Sequence, residues 1–228
     1  MRERSRDDAW VYNELRHEIE NLILKPGEEL DVNELTERYG VSRSPVRDAL
    51  LRLKRDSLVD IFPQRGTRVS KIDLHQVAEE RFMRKSLELG AIEEMMKKLD
   101  GEKRTILITL LRSILLKQHA ALLSNDLTEF LKADDEMHYL FFSSADLVGV
   151  WAVLRAHSGN DYRVRMLSFE TAGIAKEVEE QHKALIDAIE SGDKAKVLEL
   201  DRAHLSKIDD EYKTLIESFP DYFLEAKK

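Results

Sequence analysis

Gly40-Val-Ser-Arg-Ser-Pro-Val-Arg-Asp-Ala-Leu50 is the stretch that decides the fold of this chain. A short amphipathic segment ends at Gly40, and a new helix is predicted with Ser44 as its cap and a proline at its first position. Arg43 and Arg47 lie near the start of that helix. A helix N-terminus attracts phosphate, and arginine adds a bidentate donor suited to phosphate or to a guanine edge. The stretch therefore predicts a helix-turn-helix that binds DNA.

The segments on either side of this stretch predict a winged helix. Apolar residues recur at helical spacing before it, and two short strand-like segments follow it, separated by a turn with a basic tip. Asp31 with Glu34 three residues later predicts a capped start for the second helix. The predicted elements are helices over 7–24, 31–40 and 44–55 and strands over Leu58–Phe62 and Thr67–Lys71, with the hairpin tip Pro63-Gln-Arg-Gly66. We therefore predict a winged helix-turn-helix domain over residues 1–72.

The rest of the chain, residues 73–228, predicts an all-helical bundle. Glycine and proline are scarce here, and apolar residues recur three and four positions apart. Six helices are predicted, near 74–99, 102–123, 126–145, 147–169, 172–191 and 193–217. The fold class is therefore mainly α, with an N-terminal winged helix-turn-helix and a C-terminal helical bundle.

The charge is distributed unevenly along the chain. The 228 residues carry a net charge of −8, from 36 cationic and 44 anionic side chains. Residues 1–72 hold 14 of each, which leaves 22 cations and 30 anions for the remainder. Residues 43–71 hold eight cations against three anions. A local basic patch on an acidic protein fits a DNA-binding end joined to a body that touches no phosphate.

Composition excludes several classes of protein. With no cysteine, the chain has neither disulfides nor thiolate metal sites. The N-terminus lacks an apolar signal core, and we expect no membrane span and a cytoplasmic location. We find no phosphate-binding loop, no dinucleotide fingerprint and no Ser-His-Asp arrangement.

The sequence resembles the GntR family of bacterial transcription regulators. The matching stretch is PGEELDVNELTERYGVSRSPVRDALLRLKRDSLVDIFPQRGTRVSKID, and the helical remainder resembles the FCD ligand-binding domain of the FadR-type subfamily, with the six-helix count of its VanR-like branch. The resemblance implies a homodimer that binds a palindromic operator. It also implies a repressor that is released or remodelled when a small carboxylic acid, the effector, binds.

The resemblance also assigns DNA contacts to individual residues. From the recognition helix these are Ser42, Arg43, Ser44 and Arg47, and from the wing tip they are Arg65 and Gly66. The chain departs from the family at two nearby positions. Asn33 stands where many relatives have arginine, and Ser57 stands where relatives usually have glycine. A serine at that position must adopt a turn conformation that glycine adopts more easily.

Four residues of the bundle match the metal ligands of the FCD domain. They are Asp134, His138, His182 and His204. Asp134 and His138 are four apart and share one helix face, whereas Asp135 points about 100° round the helix. One carboxylate and three imidazoles suit zinc, nickel or another divalent ion, with open positions left for an effector carboxylate. The other histidines, His17, His75, His119 and His157, are interpreted as ordinary core or surface residues.

An arginine–carboxylate pair, Arg84 and Glu88, matches a pair that relatives place on the first helix of this domain. Arginine is the natural partner of an acid effector, so this pair is assigned to effector binding. The alternative is that Arg84 and Glu88 form an ordinary i,i+4 ion pair on the surface, with no role in effector binding. The sequence leaves open which of Arg155, Arg163 and Arg165 also faces the cavity.

An enzyme is the alternative that the sequence leaves open. Glu179-x-x-His182 is a Glu-x-x-His pair, and Asp135-x-x-His138 and Asp201-x-x-His204 resemble it. Such pairs occur in carboxylate-bridged di-metal oxidases built on helical bundles. That hypothesis gives no reason for a winged helix, so a regulator without enzymatic activity is the favoured interpretation.

Overall fold

The computed structural model describes residues 8–170, 174–207 and 211–225. The N-terminal elements are α1 (Asp8–Glu20), β1 (Glu29–Leu30), α2 (Val32–Tyr39), α3 (Arg43–Arg55), β2 (Val59–Phe62) and β3 (Gly66–Val69). The remaining helices are α4 (Leu74–Lys98), α5 (Gly101–Ser124), α6 (Leu127–Ser144), α7 (Val148–Ala156), α8 (Gly159–Glu170), α9 (Ile174–Ser191), α10 (Lys194–Ser206) and α11 (Tyr212–Ser218), followed by a 3-10 turn, Pro220–Tyr222. The predicted fold class is confirmed.

The wing contains one strand more than the sequence predicted. Strand β3 pairs antiparallel with β2 on one side and with β1 on the other. Because β1 has only two residues, no alternating pattern marks it in the sequence. Phe62 pairs with Gly66, so Gly66 begins β3 and the hairpin tip is reduced to residues 63–65. Gly66 has a φ of 101°, which favours glycine.

The recognition helix α3 begins two residues earlier than predicted. Its N-cap is Ser42, whose side chain makes no capping hydrogen bond, so the predicted cap at Ser44 is wrong. Pro45 becomes the third helical residue. The first four backbone N–H groups of a helix have no intrahelical acceptor, so the missing N–H of proline costs no hydrogen bond there. After the helix, Ser57 has a φ of 58°, the left-handed conformation expected at this position.

Aspartate side chains cap five of the eleven helices among the described residues. Asp31, Asp73, Asp100, Asp126 and Asp193 each accept a backbone N–H at the start of α2, α4, α5, α6 and α10. Before two of these caps, a left-handed residue reverses the chain at once: Asn125 with φ 54° and Gly192 with φ 77°. Such short reversals hold consecutive helices antiparallel and in contact.

Two long helices predicted in the bundle are each divided in the structure. The predicted helix over 147–169 is broken between α7 and α8, and the one over 193–217 is replaced by α10 and α11. The described part of the bundle therefore has eight helices rather than six. Residues 7, 172–173 and 208–210, which the predicted helices include, lie outside the described residues. Helix α1 ends at Glu20, before the predicted residue 24.

The N-terminal part and the bundle have separate hydrophobic cores. One buried cluster draws only on residues 11–69, with α1 and α3 packed against each other. The clusters of the bundle draw on residues from 72 onward, together with Leu22. The domain boundary at residues 72–73 stays a prediction.

Helix α5 is a partial exception to the expectation of no membrane span. By length and composition alone it is apolar enough to cross a bilayer. In the structure one face of α5 packs against α6 and α9, through residues such as Leu107, Leu111 and Ile114. A single helix of this kind is weak evidence for a membrane protein, because core helices pass the same test.

Gly159, at the start of α8, allows the bundle to pack closely against the N-terminal part. A Cβ at Gly159 would lie 2.8 Å from Cδ2 of Leu58, a fully buried residue of the N-terminal part. We expect Gly159→Ala to lower the free energy of unfolding by about 1–3 kcal/mol, because the added methyl overpacks this contact. Urea unfolding measures the change.

Gly90→Ala is the matched control for that measurement. Gly90 also lies in a helix, but nothing is within 4 Å of its added Cβ. This variant should gain about 0.5–1 kcal/mol from helix propensity. Equal effects of the two substitutions would contradict a close contact at Gly159.

Candidate metal centre and nucleic-acid interface

The four predicted metal ligands converge on one point inside the bundle. Helix α6 supplies Asp134 and His138, α9 supplies His182 and α10 supplies His204. Nε2 of His204 lies 3.4 Å from Nε2 of His182 and 3.3 Å from Nε2 of His138. The Asp134 carboxylate lies 3.4 Å from Nε2 of His182 and 3.6 Å from Nε2 of His138.

An oxygen atom holds the other ring nitrogen of each histidine. Nδ1 of His138 contacts the carboxylate of Glu88. Nδ1 of His182 lies 2.9 Å from Oε1 of Gln118, and Nδ1 of His204 lies 2.9 Å from Oε1 of Gln181. These oxygens are acceptors, so each Nδ1 carries the proton. The three Nε2 lone pairs are therefore left pointing at one another.

This arrangement fits a divalent cation. Nε2 of His204 lies 3.3–3.4 Å from the other two Nε2 atoms, and no proton lies between them in the neutral state, so they repel unless a cation lies at their centre. Donors bonded to zinc at about 2.0–2.1 Å in a tetrahedron are about 3.3–3.4 Å apart, which matches the observed separations. Neutral imidazoles and one carboxylate are the donor set that zinc and similar ions prefer.

The electrostatics of the centre favour the protonation states that metal binding needs. Burial lowers the pKa of His182 to about 4, and burial and the neighbouring His182 and His138 lower that of His204 well below its usual value. Burial alone would raise the pKa of Asp134, but Arg165 and the adjacent histidines hold it well below its ordinary value. Both histidines are therefore neutral, and Asp134 is ionised, at neutral pH.

Two carboxyl groups lie beneath His138. Glu88 and Asp201 are both fully buried. Burial and the charge of Glu88 raise the pKa of Asp201, whereas His138 and Arg84 outweigh burial and lower that of Glu88. Asp201 is therefore neutral, and Glu88 is the anion that holds the His138 ring.

A small pocket, with a cavity volume of about 20 Å³, opens beside the four ligands. Its wall includes Asp134 and His204, three apolar residues and four cationic residues: Arg81, Arg84, Arg165 and Lys207. Arg84, one of the two predicted effector residues, thus lies in this wall. Glu88, the other, is not among the described residues of the wall and lies against His138. The pocket is small and cationic, and it has direct access to a metal ligand.

The three arginines that the sequence could not distinguish have different positions. Arg165 lies at the pocket, where it contacts Asp134 and donates to Asp135 at 2.9 Å. Arg155 is directed toward α1, and Arg163 is fully buried, donating to the Ser70 carbonyl at 2.6 Å. His17, His75, His119 and His157 lie outside the cluster of ligands.

The six predicted DNA-contacting residues lie exposed on the N-terminal part. They are Ser42, Arg43, Ser44, Arg47, Arg65 and Gly66. Arg43, Arg47 and Gly66 border one shallow cleft between the start of α3 and the wing. Asn33 borders the same cleft, and its side-chain oxygen accepts a hydrogen bond from Nη2 of Arg43 at 2.7 Å. The departure from the family at Asn33 thus orients the neighbouring arginine.

Sequence reasoning missed the residues that support the ligands, Gln118 and Gln181, and also Arg81 and Asp201. Arg81 spans the pocket wall, donating to Asp161 at 2.9 Å and to the Leu205 carbonyl. A buried polar residue on the apolar face of a helix was the available signal for Gln118, since it lies four residues after Ile114 on α5. No comparable pattern distinguishes Gln181 in an acidic helix.

Family models match both parts of the chain. The model described as "Bacterial regulatory proteins, gntR family" matches residues 9–69, and the model described as "FCD domain" matches residues 81–207. An uncharacterized HTH-type transcriptional regulator from an unstable DNA locus of Streptomyces ambofaciens is 32% identical, covering 93% of this chain and 88% of its own length. The HTH-type transcriptional repressor RspR of Escherichia coli is 29% identical, covering 94% and 92%.

The fold is also that of a solved regulator. E. coli McbR/YncC superposes with a TM-score of 0.76 at 20% identity, covering 93% of this chain and 98% of that one. The relatives are described as transcriptional regulators, and they give no support to the oxidase alternative. The protein is a transcriptional regulator that belongs to the GntR family, with a GntR helix-turn-helix domain followed by an FCD domain.

Proposed function

We propose that this regulator is a repressor whose operator binding is controlled by a small carboxylic acid bound at a divalent metal in the bundle. The observation that carries the proposal is the convergence of three Nε2 atoms on Asp134 beside an arginine-lined pocket. The DNA-binding domain comprises residues 1–72 and the effector domain residues 73–228. The repressor role is supported by the relative RspR, which is described as a repressor.

The metal would be held by Asp134, His138, His182 and His204. Zinc suits this donor set best, with nickel or another divalent ion as alternatives. When bound, the ion would supply open coordination positions for effector oxygens. Glu88, Gln118 and Gln181 keep the three rings in the tautomer that a metal requires.

The effector would be small and anionic. Arg84 and Arg165 present guanidinium groups in the pocket wall, and a fork of N–H donors matches a carboxylate. The pocket is narrow, with a cavity volume of about 20 Å³, so we expect an acid of only a few atoms. An acid with a second oxygen beside the carboxylate could bind the metal and an arginine together.

The DNA partner would be a palindromic operator bound by a homodimer in the cytoplasm. Arg43 and Arg47 would contact DNA from α3, with Ser42 and Ser44 at the helix start, and the wing would add Arg65 and Gly66. Two identical recognition helices require two half-sites related by two-fold symmetry.

Replacing Arg47 tests the DNA interface. We expect Arg47→Ala to weaken binding about 10- to 100-fold, because one bidentate contact to a base edge is worth about 1–3 kcal/mol. The measurement is a binding isotherm with a duplex selected by the wild-type protein from random-sequence DNA, at fixed salt concentration. Metal content should be unchanged, since Arg47 is exposed on the N-terminal part and the ligands lie inside the bundle.

Arg112→Ala is the matched control. Arg112 is also an exposed arginine, but it lies on α5 of the bundle and pairs with Glu190 at 2.5 Å. Its loss should leave DNA affinity within error of the wild-type value. If Arg47→Ala bound the duplex as well as Arg112→Ala does, α3 would not be the recognition helix.

A further inference from the structure

A continuous row of oppositely charged side chains leads away from the metal centre. Asp134 contacts the guanidinium of Arg165, whose Nη1 lies 2.9 Å from Oδ1 of Asp135. Oδ2 of Asp135 lies 3.1 Å from Nε of Arg155. The full row, called here the arginine–carboxylate chain, comprises Asp134, Arg165, Asp135, Arg155, Glu20, Arg16 and Asp56.

Arg155 carries this chain across the boundary between the two domains. Its Nη1 and Nη2 donate to the two oxygens of Glu20, the last residue of α1, at 2.9 and 2.6 Å. Arg16 of α1 donates to the same carboxylate at 2.8 Å and to the backbone carbonyl of Arg155 at 2.7 Å. The domains therefore exchange charge-assisted hydrogen bonds in both directions.

The chain ends at the recognition helix. Asp56 is the C-cap residue of α3, and its carboxylate lies 3.6 Å from Nη1 of Arg16. The Tyr12 hydroxyl reinforces this link, since it donates to Asp56 and accepts from Arg16 at 2.7 Å. A series of direct contacts thus joins a metal ligand to the end of the helix that would contact DNA.

Burial makes these contacts strong enough to matter. The side chains of Asp134 and Glu20 are 3% exposed, and that of Arg165 is 6% exposed. Solvent and salt screen buried ion pairs little. Removing one partner leaves the other charge buried and unpaired, which is strongly destabilising. The pair of Asp134 and Arg165 is therefore little screened by solvent, whereas the side chains of Arg155 (30% exposed) and Asp56 (23% exposed) are partly accessible to water.

We propose that the arginine–carboxylate chain couples occupancy of the metal centre to the position of α3, and therefore to DNA affinity. This inference rests on the proposed function. A divalent ion bound to Asp134 competes with Arg165 for the same carboxylate, which leaves Asp135 as the main partner of Arg165. Because Asp135 also pairs with Arg155, a movement of the Asp135 carboxylate changes the hydrogen bonds from Arg155 to Glu20 of α1. An effector carboxylate that engages Arg165 acts on the same link.

Hydrogen exchange of the full-length protein, with and without Zn²⁺, tests this coupling. In the wild type, zinc should change the exchange rates of amides in residues 46–56, at the end of α3, by at least about fivefold. Glu20→Gln and Asp135→Asn break different links while keeping side-chain size. Both variants should bind zinc with unchanged stoichiometry and lose the response in α3.

Ser57→Ala is the matched control across the same boundary. It removes the 3.2 Å hydrogen bond from Gln76 to Ser57, which joins the two domains outside the chain. This variant should keep the zinc response of α3. If Ser57→Ala also lost the zinc response of α3, any weakening of the domain contact would abolish the response. The arginine–carboxylate chain would then not be the specific route of coupling.

The remaining outcomes separate this inference from the proposed function. Zinc binding to the wild type without any change in α3 would overturn the coupling and leave the metal centre intact. A full response in both Glu20→Gln and Asp135→Asn would also overturn it, because the signal would travel by another route. Failure of the wild type to bind zinc would overturn the metal centre and the coupling together.

Discussion

Replacing His204 with alanine is expected to weaken zinc binding by more than about a hundredfold. Loss of a residue that only orients a metal ligand already costs about 10- to 100-fold in affinity. His204 would bind the ion directly, since its Nε2 lies within 3.4 Å of the other two imidazoles. It is less buried than His138 and His182, so its removal disturbs the core least.

Competition with a chromophoric chelator measures this affinity, and His119→Ala is the matched control. His119 is exposed on α5, where it pairs with Glu179 at 2.9 Å, outside the cluster of ligands. The control should bind zinc like the wild type. Operator affinity of the metal-free protein should be nearly equal in all three proteins. Equal zinc affinities of His204→Ala and His119→Ala would eliminate the proposed centre.

The four residues of the candidate metal centre were brought together by two different routes. The i,i+4 spacing of Asp134 and His138 places them on one helix face, so that pair follows from the sequence alone. His182 and His204 lie on other helices, and only the family resemblance joins them to the pair. The supporting oxygens of Gln118 and Gln181 were missed, because contacts between helices leave no regular spacing in the sequence.

The fold shows a similar limit. Hydrophobic periodicity predicted the helices, because burial of one face dominates their stability. Periodicity could not locate the break between α7 and α8 at His157 and Ser158, because both helices remain packed in the bundle. The role of Glu88 changed for a related reason. The sequence shows that Glu88 lies four residues after Arg84 on one helix face. Only the packing of α4 on α6 places the Glu88 carboxylate against His138.

The pH dependence of stability of the metal-free protein should expose the neutral state of His182. Its pKa is about 4 in the folded protein, chiefly because burial disfavours the charged ring, and about 6.5 in the unfolded chain. As the pH falls from about 6.5 to about 4, the unfolded chain takes up a proton that the folded state refuses. Stability is therefore lost over this window, by about 3 kcal/mol in total.

Glu80 opposes this trend, so a comparison of two proteins is needed. Burial raises the pKa of Glu80 to about 7, and stability due to this group rises as the pH falls from about 7 to about 4.5. His182→Gln removes the titrating ring, keeps a polar group beside Gln118 and leaves Glu80 in both proteins. Urea unfolding of both proteins in chelator measures the difference.

The stability of the wild type, relative to His182→Gln, should fall by about 2 kcal/mol between about pH 6.5 and about pH 5. The direction follows from burial: a ring whose Nδ1 is fixed by Gln118 has only Nε2 available for a proton, and Nε2 faces two other imidazoles. A difference that stayed constant with pH would mean that His182 is protonated in the folded state beside Asp134. A proton would then occupy the place that the proposed function gives to the metal.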